Sequence, residues 1–363
     1  MPSGGSMPHS PYCKLASGPL FPYLASRRGF LCWLAVAGAK AGIELRIPDA
    51  LRTPYKLNRL VVAASKEADA FDAQSADVPF VFRHGHRFHM TYVGFDGEGY
   101  QTGLASSSDL INWRKEGLIL RRDPKSPVTR YNAALTWILR ENDVFSPGRL
   151  KKVHGRYLGT YHAYPKPGLE EGAAVIGLCW SKDLFHWELE APCLRPEDGQ
   201  PWEHAGLYKA CLFEYGGTYY LFYNAKDRAM NWQEQTGFAS SVDLKNWVRF
   251  SGNPVLRNGP PGSPDERFAS DPCVLRYGDQ WAVFYYGLDA RGVARDFVAL
   301  AHDFRQVTKC EGFLIDVGPA GSVDSTYAHK PSLVFRHGAL YHFYCAVSPE
   351  YGRGISVAAS RPI

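Results

Sequence analysis

Four acidic residues and a histidine stand just before apolar, aromatic-rich stretches, at intervals of about 60 to 70 residues. They are Asp77 before Val78-Pro79, Asp143 in Asp143-Val-Phe-Ser-Pro147, Glu203 in Trp202-Glu203-His204, Asp271 before Pro272, and His329 in His329-Lys330-Pro331. Carboxylates gathered in a concave, partly dehydrated pocket repel one another, so one stays protonated as an acid while another remains an ionised base. Hydrolysis of a glycosidic bond requires that division of labour. Any one of these residues taken alone reads as a turn cap, because Asp before Pro favours a β-turn; their recurrence favours chemistry.

The recurrence belongs to a larger repeat. Thr102-Gly-Leu-Ala-Ser-Ser-Ser-Asp-Leu-Ile-Asn-Trp113, Ile176-Gly-Leu-Cys-Trp-Ser-Lys-Asp-Leu-Phe-His-Trp187 and Thr236-Gly-Phe-Ala-Ser-Ser-Val-Asp-Leu-Lys-Asn-Trp247 share one pattern, with worn copies at 297–307 and 354–360. Each copy follows an apolar strand, a turn and an aromatic-rich strand ending at Tyr92, Tyr161, Tyr223, Tyr285 or Tyr344. Gly85, Gly155, Gly216, Gly278 and Gly338 hold the turns, as hairpins require. Five copies of three or four short strands predict an all-β, single-domain, five-bladed β-propeller over residues 71–363, preceded by a lead-in at 42–70. The inner strands are expected at Val78, Arg149, Ala210, Cys273 and Ser332, with loops 121–142 and 250–268 walling the pocket. Asp109, Asp183 and Asp243 are expected to cap outer turns, and Trp113, Trp187 and Trp247 to pack between blades.

The formal charge of +5 comes largely from Lys14, Arg27, Arg28 and Lys40, in a stretch free of Asp and Glu; without them the body carries +1. A near-neutral body with evenly spread aromatics gives no footprint for nucleic acid. Ser26-Arg27-Arg28-Gly29-Phe30-Leu31 resembles a twin-arginine export signal, with an apolar run to Ala39 too short to span a bilayer. Residues 1–41 are therefore expected to be a bacterial signal peptide directing a periplasmic or secreted protein, with no membrane insertion. Six cysteines remain beyond it, without metal-type spacing, and are expected as buried free thiols. His84, His86 and His89 crowd a hairpin expected in solvent.

The blade pattern and its Asp-x-Pro entry resemble the five-bladed glycoside hydrolases of families 43, 62, 32, 68, 117 and 130 over residues 70–360. Asp143-Val-Phe-Ser-Pro-Gly148 and Ser270-Asp-Pro-Cys-Val274 look most like family 117, which implies an Asp base, a second Asp and a His acid at Asp77, Asp271 and His329. Family 43 implies a Glu acid instead, for which Glu203 is the nearest candidate. The resemblance implies an exo-acting, inverting hydrolase of plant or algal oligosaccharides. Asp143, Tyr161, Trp202, His204, Lys209, Arg267, Tyr327 and Lys330 are the candidate substrate contacts. A glycoside phosphorylase, using basic residues for phosphate, and a non-catalytic carbohydrate-binding propeller are the competing readings. No cofactor is expected to be required, although propellers of this kind have room for a calcium ion or water in the channel.

Overall fold

A computed structural model describes residues 45–227 and 232–363; the leader expected over 1–41 lies outside the described residues. The repeats form five antiparallel blades around a central channel. Their inner strands are Ser75–His84, Ala134–Ile138, Gly206–Tyr215, Phe268–Tyr277 and Tyr327–Arg336. Each inner strand pairs with a second strand, and that with a third carrying the repeated pattern. The inner strands are apolar on both faces because neighbouring blades cover both: Phe213 of blade three, for instance, lies 5.0 Å from Trp281 of blade four. Helix among the described residues is confined to three short 3-10 turns.

At the outer turns the carboxylate of Asp109 accepts the backbone N–H groups of Ile111 and Asn112, while Trp113 Nε1 donates to the Leu110 carbonyl. The same bonds recur at Asp183 and Trp187 and at Asp243 and Trp247. All six cysteines of the body are free thiols, five of them buried and Cys193 half-buried.

A second repeated device holds each blade together. In blade one the Tyr92 hydroxyl, on the second strand, donates to Asp72, which also receives Lys115 of the outer strand at 2.5 Å. Blade three repeats this with Tyr223, Glu203 and Arg249, blade four with Tyr285, Asp265 and Lys309, and blade five with Tyr344, Asp324 and Lys56. In blade two Tyr161 donates to the carbonyl of Glu190 instead. The pattern glycine lies against the tyrosine ring: a Cβ on Gly103 would stand 2.6 Å from Tyr92, and one on Gly177 2.4 Å from Tyr161.

Blade two departs from expectation. Its inner strand is Ala134–Ile138, inside the segment expected to be a pocket loop, and Lys152–Val153 forms only a short pairing beside the turn. Residues 139–150 then cross the far end of the channel. Arg140, fully buried, donates to the carbonyls of Val81 in blade one and Leu333 in blade five, and Val144 N donates to Arg276 O in blade four. Phe145 packs against Tyr277 and Phe335. The channel is thereby closed at this end, and chemistry is confined to the opposite mouth.

The ring closes through the lead-in. Tyr55–Lys56 pairs with the C-terminal strand Gly352–Ala359 as the fourth strand of blade five, and Lys56 completes that blade's clamp on the buried Asp324. Lys56→Met is expected to lower stability by about 2 kcal/mol, because a buried carboxylate loses a charged partner. Urea unfolding of the variant beside wild type measures the loss.

Candidate active site

A bulge at the mouth end of four inner strands positions the charged side chains. The register slips between Asp77 and Phe80, Tyr208 and Cys211, Ser270 and Cys273, and His329 and Ser332. At each slip one non-glycine residue takes a positive φ: Val78 at 51°, Lys209 at 50°, Asp271 at 54° and Lys330 at 68°. Such strain persists only where the surroundings over-determine it, and a bulge redirects side chains out of the strand's alternation. Pro79, Pro272 and Pro331 follow three of these residues, where the interrupted ladder demands no N–H. The Asp-x-Pro and Asp-Pro motifs are therefore bulges and not turns.

The bulges bring Asp77, Asp271, His329, Lys330 and Lys209 to one end of the channel. Asp77 Oδ2 accepts Lys330 Nζ at 2.8 Å and Arg353 at 2.7 Å, and its Oδ1 accepts the Val78 N–H. Burial pushes Asp77 up, but the charges of Lys330 and Arg353 outweigh it and hold the carboxyl well below the usual range. His329 is buried against Tyr286 and Tyr327. Burial, then Lys330 and Arg353, hold its pKa well below 6.5, so it is neutral. Its Nδ1 lies 3.1 Å from the Cys345 carbonyl, which only accepts; Nδ1 therefore carries the proton and Nε2 is an acceptor. Burial raises Asp271 to about 7 against the pull of Lys330 and Lys209.

The mouth opens into a pocket of about 240 Å³ that Arg267, Tyr327, His329, Lys330 and Arg353 line together with two residues the sequence did not single out, Glu170 and Trp232. Trp232 is exposed, and its Nε1 donates to Glu234 at 2.7 Å. Glu234, buried beneath it, also receives Ser270 at 2.7 Å, Asn224 at 3.3 Å and the hydroxyl of Tyr208. Burial first and the neighbouring Glu170 second raise the Glu234 pKa, although Lys226 and the donated bonds oppose them. Glu170 lies 3.6 Å from Lys226, itself packed 3.8 Å over the Trp232 ring. The repeat held a signal for two of the missed residues: Tyr100, Glu234 and Arg353 each stand three places before the third-strand residue that pairs with the blade's tyrosine. Glu170 follows no repeat.

Other sequence candidates lie elsewhere. Glu203 is the carboxylate of the blade-three clamp, saturated by Tyr223, Arg249 and the Gln200 N–H, because the blade needs an acid there for its tyrosine and arginine. Trp202 stacks on Tyr223 in the core, Tyr161 is the blade-two clamp tyrosine, and His204 bonds the Gly199 carbonyl. Asp143 caps a turn at the closed end, accepting the Phe145 N–H. A larger cleft of about 740 Å³ runs along the flank of blade four, outside the channel. The channel itself suits an anion or water better than calcium: Lys209 Nζ is buried there without a hydrogen-bond partner, Lys330 lies at the mouth and Arg140 at the base.

Asp271 titrates near 7 in the folded protein against an ordinary 3.8. Folding therefore takes up a proton between those values, and stability falls as pH rises from about 4 to about 7. Asp271→Asn removes this penalty. The variant is expected to gain on wild type, by on the order of 2 kcal/mol, between pH 4 and pH 8 in urea titrations.

Residues 142–300 match the family model described as the glycosyl hydrolases family 32 N-terminal domain. A search of curated proteins gives no match. Two solved structures, one described as a glycoside hydrolase and one as a complex of BT0996 and RGII, are each 28% identical with TM-scores of 0.74. The first match covers 86% of this protein and 93% of the other, and the second 87% and 94%. A family 117 hydrolase from the marine bacterium Zobellia galactanivorans is 14% identical, with a TM-score of 0.61 over 86% of this protein and 92% of its own length, a likeness of fold. Another at 14%, with a TM-score of 0.64 over 88% and 98%, belongs to work on the GH130 mannoside phosphorylases and hydrolases. The fold expected from the repeat is thus the one observed, and the chain is a five-bladed propeller similar to the glycoside hydrolases of this architecture.

Proposed function

We propose that the protein hydrolyses a glycosidic bond at the open mouth of the channel, with Glu234 as the acid. The observation that carries this reading is a buried carboxyl of raised pKa beside a second carboxylate, at the edge of a pocket with an exposed tryptophan. Trp232 and Tyr327 offer ring faces to the apolar side of a sugar. Glu234 protonates the leaving oxygen, and Glu170 takes the proton of the attacking water. His329 Nε2 accepts a sugar hydroxyl. Asp77, too acidic to be an efficient base, holds Lys330 and Arg353 in place. Inversion follows if water enters between Glu170 and the sugar. A pocket for one ring, closed below, favours release from a chain end. Action outside the cytoplasm belongs to the same proposal and rests on the Arg27-Arg28 leader. Among the described residues, no helix is long and apolar enough to cross a membrane.

The basic groups of the pocket favour phosphorolysis as the second reading, and phosphate dependence separates the two. The test is turnover by the full-length protein on aryl glycosides and plant and algal oligosaccharides, with and without phosphate. Glu234→Gln is expected to lower kcat by about 10²- to 10⁴-fold without shifting Tm, and proton NMR to show the inverted anomer. Turnover of Glu234→Gln at the wild-type rate overturns the assignment of the acid; strict phosphate dependence overturns hydrolysis.

A further inference from the structure

The charges lining the pocket do not balance. Lys330 and Arg353 share a single oxygen of Asp77, whose other oxygen is taken by a backbone N–H, so one carboxylate stands against two cations. The Glu170 carboxylate is already met by Lys226. Arg267, next to them on the pocket wall, makes no salt bridge among the described residues and lies 5.5 Å over the Phe268 ring. Its backbone is fixed, since its N–H donates to the Leu288 carbonyl where the blade-four inner strand begins. Glu234 and Asp271 are buried carboxyls with raised pKa values and offset little of this surplus near neutral pH.

A partly dehydrated surplus of guanidinium and ammonium groups is costly unless an anion completes it, and guanidinium groups match a planar carboxylate with paired hydrogen bonds. The pocket is of a size for one sugar ring, with aromatic side chains alongside. We propose that it selects a sugar bearing a carboxylate, a uronosyl residue, whose carboxylate is received by Arg267 together with the Lys330–Arg353 pair. The proposal rests on the glycosidase reading and narrows its substrate class. Arg267 would be a specificity residue that contacts the substrate carboxylate and takes no part in proton transfer.

The test pairs aryl uronides with the neutral aryl glycosides of the same configuration, assayed with the full-length protein. Calorimetry alongside it measures binding of glucuronate, galacturonate, their neutral counterparts and inorganic phosphate. The uronide is expected to be preferred, with uronate binding that weakens at high ionic strength. Arg267→Gln is expected to cut the uronide-to-neutral ratio in kcat/KM by about 10- to 100-fold with Tm unchanged. Preference for neutral glycosides, or an unaltered ratio in Arg267→Gln, overturns the carboxylate site and leaves the glycosidase reading standing. Arg267-dependent uronate binding without cleavage of any glycoside supports the site and overturns the glycosidase reading. Binding of phosphate but not of uronates overturns the site in favour of a phosphate-binding one.

Discussion

The ion pair between Asp77 and Lys330 joins the first blade to the last at the point where the active mouth is built. Blade one has no earlier blade to lean on, so the ring closes only if the two ends of the propeller find each other. A salt bridge between inner strands, reinforced by Arg353, supplies a directional contact there. Its electrical consequences reach further. Lys330 stays charged although burial opposes it, because Asp77 is ionised; Lys330 and Arg353 in turn contribute to keeping His329 neutral. The seam that closes the fold thus sets which groups at the mouth can hold a proton.

Much of the architecture was legible because a propeller writes its fold five times. The turn glycines, the strand tyrosines and the Asp-Leu-x-x-Trp turns each mark one place in a blade, and the structure puts them in equivalent places. Reading chemistry from the same repeat succeeded less evenly. The residues before Pro79, Pro272 and Pro331 do gather at the mouth, since proline tolerates the bulge that turns them inward. Asp143, with a similar local sequence, belongs to the segment closing the far end. Nothing in a short motif states at which end of the channel it will fall.

Glu203 shows the converse difficulty. It stands in the right region of its blade and is acidic, yet its counterparts are Asp72, Asp265 and Asp324, which are structural in every blade where they occur. The clamp was hidden because its three members come from separate strands and, in blade five, from opposite ends of the propeller. Glu234 was obscured by the opposite cause: its counterparts Tyr100 and Arg353 differ in chemistry, so the repeat marks a position without naming a role. Glu170, on a loop with no counterpart, could be found only from the packing.

The contrast between these carboxyls follows from what surrounds them. Glu203 and Asp77 are buried with cations in direct contact, and an ion pair of good geometry keeps a carboxylate charged and inert to proton exchange near neutral pH. Glu234 is equally buried, but its direct partners are neutral donors and its nearest electrical neighbour is another carboxylate. Burial alone therefore does not mark an acid catalyst; burial without a contacting cation does. By that criterion the described residues at the mouth offer Glu234 and Asp271. Of the two, only Glu234 sits under an aromatic side chain that also lines the pocket.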